Sequence, residues 1–140
     1  MANVILVGVD GSKTARDAAR TAAEVAAGSG AKLYVCTAFG TPDDESSTAD
    51  ASLMLNSPAD AAEGIARRAA DELRSVVPDV ESIHIYGKPA EALIEEAVRL
   101  DARLIVVGNK RMQGVTRVLG SVANSVSHNA PCDVYIVKTH

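Results

Sequence analysis

Asp10 closes the first apolar run of the chain, in Gly8-Val9-Asp10-Gly11-Ser12, and two kinds of chemistry are open to it. Beside Ser12 it can act as a helix-start acid that complements the helix dipole. Its carboxylate can equally accept hydrogen bonds from the hydroxyls of a ribose. A second candidate lies late in the chain. Between Ala102 and Cys132 stand Arg103, Lys110, Arg111 and Arg117 without a single Asp or Glu, inside a protein whose net charge is −4. Gly108, Gly114 and Gly120 let backbone N–H groups come close to a ligand, and Ser121 stands at a helix N-terminus. Glycine loop, basic side chains and helix N-terminus together describe an anion site, most simply for phosphate. A solvated loop whose glycines only turn the chain is the competing reading of the same residues.

Other chemistries find no pattern to rest on. The run from Gly8 to Lys13-Thr14 has the composition of a P-loop, but a serine intervenes between glycine and lysine and the spacing is wrong. No strand is followed by GxGxxG, so the dinucleotide fingerprint is missing. No serine has the GxSxG setting of a nucleophile elbow. His84, His128 and His140 fall in different elements without metal-ligand spacing. Cys36 and Cys132 are far apart, in apolar segments, with no CxxC or Cys/His cluster, and are expected to be reduced, buried thiols. No catalytic residue and no metal ligand is assigned.

The elements that must position Asp10 and the basic loop follow from the pattern. Residues 4–9 are almost all β-branched or Leu, as in a strand covered on both faces. Ser12 caps an Ala-rich helix that stops at Gly28-Ser29-Gly30, and residues 33–38 form a second strand. Ser57-Pro58-Ala59-Asp60 opens a second helix with an apolar face of Ala62, Ile65, Ala66, Ala69 and Leu73, ended by Pro78. Residues 82–86 read as a third, weaker strand, and Pro89 opens a third helix with Leu93, Ile94 and Ala97 on one side. A fourth strand at 104–107, a short helix at 121–128 and a fifth strand at 133–137 complete the chain, with Pro131 between the last two. Strands alternating with helices imply right-handed crossovers and a small doubly wound α/β fold around one parallel sheet. Ligands of such sheets sit beyond the carboxyl ends of the strands, where strand order reverses. Residues 40–56 break the rhythm: rich in Asp, Glu, Ser and Thr, they are long for a connection and suggest a lid, an insertion or an extra helical turn over the sheet edge.

Composition narrows the function classes. Apolar residues make up 47% and charged residues 23%, which suits one globular domain over residues 1–140. Aromatic residues are only 3%, with no Trp, so the core must be built from Ala, Val, Leu and Ile. That scarcity is poor for stacking bases along a nucleic-acid strand, and the negative net charge argues against nucleic acid and anionic membrane alike. The N-terminus lacks the basic start and cleavage site of a signal peptide, and no apolar run approaches the ~20 residues of a membrane span. A cytoplasmic protein is the expectation.

Three blocks, in this order, resemble the universal stress protein family: Val7-Gly8-Val9-Asp10-Gly11-Ser12, then 106–110 through Leu119-Gly120-Ser121-Val122-Ala123, then Ala130-Pro131-Cys132-Asp133-Val134-Tyr135-Ile136-Val137. The resemblance covers the whole chain. It implies a five-stranded parallel sheet of order 3-2-1-4-5, with helices on both faces, in a protein that is usually dimeric. It also implies ATP, with or without Mg²⁺, held by a pattern of Gly, two residues, Gly, about nine residues, then Gly-Ser or Gly-Thr. Carried over, Asp10 contacts ribose beside Gly8 and Val9, and backbone near Thr37 and Ala38 meets adenine. Val107 and Gly108 flank the nucleoside, Asn109, Arg111 and Gly114 belong to the loop, and Gly120, Ser121 and Val122 hold phosphates.

One position departs from the pattern. Arg111 stands where the second glycine belongs, and only eight residues separate it from Gly120. A backbone with φ > 0 there would cost a non-glycine residue on the order of 1 kcal/mol or more. Its guanidinium either fills the phosphate cleft or pairs with phosphate oxygens in a bidentate fashion. The expectation is a regulatory ATP-binding protein, not an enzyme beyond slow ATP hydrolysis, since no general base offers itself. The alternative is a member without tight ATP binding that acts through protein contacts, or one that prefers cyclic AMP. The implied strand order leaves residues 133–137 at a sheet edge, without proline or charge inside the strand, and a homodimer paired through that edge is expected. A short strand shielded by its own helices is the other reading of that edge.

Overall fold

The computed structural model describes residues 1–40, 57–109 and 119–139. Strand β1 (Val4–Gly8) has its three central residues fully buried, because helices cover both faces of the sheet. It is flanked by β2 (Lys32–Phe39) and β4 (Leu104–Gly108), so that Val7 lies between Val35 and Val106. Strands β3 (Val80–Tyr86) and β5 (Asp133–Val137) form the two edges, and all pairings are parallel in the order β3-β2-β1-β4-β5. The expected doubly wound sheet is therefore present, with strand order reversing between β1 and β4.

The reversal sorts the helices between the faces. Helices α1 (Lys13–Ser29) and α2 (Pro58–Leu73) cover one face and build a core with Ile5, Val7, Leu33 and Val35. Helices α3 (Pro89–Leu100) and α4 (Ser121–Asn129) cover the other, over Leu6, Cys36, Ile105 and Val107. Helix α1 buries Ala18, Ala19, Ala22, Ala23 and Ala26, side chains so small that its backbone lies close to the sheet. That closeness compensates for a core poor in aromatics.

The local signals in the sequence account for most boundaries. Ser12 accepts a hydrogen bond from the Ala15 amide at 3.2 Å, and Ser57 with Asp60 closes a capping box ahead of Pro58. The first helix runs past Gly28 to Ser29, because Gly30 and not Gly28 takes the left-handed conformation that ends it (φ 67°). Strand β3 starts two residues before the expected one, at Val80, where pairing with Leu33 extends the ladder. Residues 40–56, apart from Gly40, lie outside the described residues.

Candidate functional site

Beyond the carboxyl ends of β1 and β4 the chain opens a cleft of about 160 Å³. The Val9 amide donates to the Cys36 carbonyl at 2.9 Å, which carries β1 one residue further before it turns. Asp10 then accepts from the Ser12 amide at 2.9 Å through Oδ1, Gly11 takes φ +88°, and Ser12 caps α1. The turn is thus held by the Asp10 carboxylate itself. Asp10 is exposed at the cleft, and its other oxygen has no hydrogen-bond partner among the described residues.

The lining divides by chemistry. Asp10, Ser12 and Thr14 make it polar where β1 passes into α1. Cys36, Ala38, Ile85, Pro89, Ala92 and Leu93 make it apolar on the side of β2, β3 and the start of α3. Val107 and Gly108 at the end of β4 and Val122 of α4 complete it, with Gly8, Val9 and Ala15. A β-carbon at Gly8 would stand 2.8 Å from Leu93 Cδ1, so a larger residue there would push the end of the Leu93 side chain aside. An apolar wall facing a carboxylate and two hydroxyls suits a ligand with a flat apolar part and a polyhydroxylated part.

Of the residues singled out from the sequence, the cleft brings together Gly8, Val9, Asp10, Ala38, Val107, Gly108 and Val122. Thr37, whose backbone was expected near the base, has its side chain 3% exposed on the α1–α2 side, in step with Leu33 and Val35, and among the described residues its hydroxyl has no partner. Gly120 and Ser121 stand at the start of α4, outside the lining, where no side chain caps the helix. The Gly120 amide donates to the Asn109 carbonyl at 3.1 Å, while those of Ser121, Val122 and Ala123 have no backbone acceptor among the described residues. Asn109 also lies off the cleft, bound to Val137 and Thr139. Arg111 and Gly114 lie outside the described residues.

Sequence reasoning missed the third wall: Cys36, Ile85, Pro89, Ala92 and Leu93. Their signal was topological. A right-handed crossover from β3 back to β4 has to carry the start of α3 across the ends of β1 and β2. Ser12 and Thr14, also missed, follow directly on Asp10.

Cys36 is buried as expected, whereas Cys132 is only half-buried. Burial pushes the Cys36 thiol far above its ordinary value, with the Glu96 carboxylate adding to the effect, and a milder burial raises Cys132. At pH 8 iodoacetamide should therefore label Cys132 in the folded protein and spare Cys36, with both labelled in urea. Peptide mapping reads the result, and equal labelling would contradict the burial of Cys36. Because the folded Cys36 thiol stays protonated where an unfolded one ionises, its contribution to stability is intact below pH 9.0 and declines above it. Among the described residues no three His, Cys, Asp or Glu side chains gather to hold a metal, and no helix is long and apolar enough to cross a membrane.

Comparison with known proteins agrees with the fold. The sequence pattern described as the universal stress protein family matches residues 1–138. A universal stress protein of Mycobacterium tuberculosis is 33% identical over 140 residues, covering 96% of this chain and 95% of its own. One from Thermus aquaticus is 32% identical over 139 residues, covering 99% of this chain and 100% of its own. Among solved structures, a universal stress protein in complex with cAMP superposes with a TM-score of 0.73 at 33% identity, over 98% of this chain and 97% of that one.

Proposed function

The chain belongs to the universal stress protein family, and on that premise we propose that it is a regulatory module, one domain over residues 1–140, that binds ATP in the cleft between β1 and β4. The observation that carries this reading is the cleft itself, an apolar wall set against Asp10 at the point where strand order reverses. Adenine fits the wall of Ala38, Ile85 and Leu93, and the ribose hydroxyls fit the open oxygen of Asp10. The phosphates, with any Mg²⁺ they carry, run toward the uncapped amides of α4. Binding rather than turnover is the role the lining supports. Its ionisable groups among the described residues are Asp10, engaged in the turn, and the protonated Cys36.

A cyclic nucleotide is the second reading, favoured by the cAMP complex of the 33% identical relative. Both are tested by mass spectrometry of small molecules released on denaturing the purified protein, followed by calorimetric titration with ATP and with cAMP. ATP released and bound in preference supports the proposal, cAMP preference replaces it with the second reading, and binding of neither overturns both.

The nucleotide would act on a homodimer paired through β5. Val134 and Ile136 pack on the α3–α4 core, Val137 on the other, and Tyr135 stays 42% exposed on the edge strand. Sedimentation at micromolar concentration should return twice the 14.5 kDa of one chain, and a monomer would remove the dimer from the proposal.

A further inference from the structure

Asn109 is the residue after β4 and binds in four directions at once. Its amide donates to the Val137 carbonyl at 3.0 Å, and its carbonyl accepts from the Gly120 amide at 3.1 Å. Its side-chain Oδ1 accepts from both the amide of Thr139 at 2.9 Å and the hydroxyl of Thr139 at 3.2 Å. Thr139 is 6% exposed, and the β-carbon position of Gly108 lies 3.9 Å from its methyl group. One residue therefore ties three pieces of backbone: its side chain holds Thr139 beyond β5, while its main-chain amide and carbonyl hold Val137 and the residue that starts α4. The first turn of α4 has no side-chain cap of its own, so its position is set from outside the helix.

From this juxtaposition we infer that Asn109 is a positioning residue for the phosphate end of the site: the Thr139 clasp fixes Asn109, and its main-chain carbonyl in turn holds Gly120, just ahead of the amides of Ser121, Val122 and Ala123. The inference rests on the proposed nucleotide site. The clasp acts on the phosphates and not the base, because the base wall is built from β2, β3 and α3, and among the described residues Asn109 hydrogen-bonds to none of these.

Asn109→Ala and Thr139→Val are compared with the unaltered protein by calorimetry with ATP and with adenosine, and by amide hydrogen exchange without ligand. The affinity ratio of ATP to adenosine should fall about tenfold in Asn109→Ala, the scale of one or two lost hydrogen bonds. Thr139→Val, which removes only the hydroxyl, should lower the ratio by less, and the double variant should do no worse than Asn109→Ala alone. Exchange at Gly120 and Thr139 should quicken in Asn109→Ala. Equal losses for ATP and adenosine, additive effects of the two substitutions, or unchanged exchange would each overturn the positioning role. An unaltered protein that binds neither ATP nor adenosine would overturn the proposed function, and the exchange result would still decide whether the clasp holds the start of α4.

Discussion

Gly120→Val is expected to lower ATP affinity by about a hundredfold or more while leaving a cooperative fold. Gly120 is the N-cap of α4 with φ −62° and ψ 153°, an extended conformation that valine adopts readily. Valine is a poorer N-cap than glycine, at a cost of about 1 kcal/mol. The fold can absorb that. Binding at the proposed site cannot, because a branched side chain at the N-cap would crowd the amides of Ser121, Val122 and Ala123, to which the phosphates are proposed to bind. Calorimetry gives the affinity and a thermal melt followed by circular dichroism gives the stability. An unchanged affinity in a folded Gly120→Val protein would remove α4 from the proposed site.

Ile105→Ala should produce the largest loss of stability, roughly 2–5 kcal/mol. Ile105 is 0% exposed in β4, paired with Leu6 on one side and Val134 on the other. Many of its neighbours in the α3–α4 layer are already small: Ala97, Ala102 and Ala123 cannot swing into the space, so the cavity would persist. Urea unfolding should show a lower midpoint at unchanged slope, and the melting temperature should drop by roughly 10 °C. Ile5→Ala offers the matched control, since Ile5 is 0% exposed in the opposite layer. Leu93 and Val122 line the cleft from the layer that Ile105 supports, so Ile105→Ala should also weaken ATP binding more than Ile5→Ala does. Equal effects of the two substitutions on binding would contradict the assignment of the cleft wall to α3 and α4.

The parts of the site that were legible in the sequence are those written in adjacent residues. Gly8, Val9 and Asp10 follow one another at the end of an apolar run, and they stand together at the cleft. Val107 and Gly108 do the same at the end of β4. Thr37 and Ala38 show the limit of such reading. Neighbours in sequence, they send their side chains to opposite faces of the sheet, so that only the Ala38 side chain faces the cleft, while the expectation for Thr37 concerned its backbone. The same limit applies to Gly28, which looks like a helix stop but lies inside α1, because the residue that can turn left-handed and still return a hydrogen bond to Ala26 is Gly30.

The sequence by itself determined which segments become strands and helices, because apolar period, caps and prolines act within a few residues: Ser57 with Asp60, Pro58 and Pro89 all work where they stand. It also carried, in three short blocks, the likeness from which the strand order was expected. Only the tertiary structure decided that the start of α3 walls the cleft, that the Thr37 side chain is turned away from it, and that Asn109 clasps Thr139 thirty positions on. These depend on the hand of the crossovers and the register of β4 against β5, which bring together groups far apart in the chain. No local pattern encodes such a meeting, because its energy exists only once the whole sheet has formed.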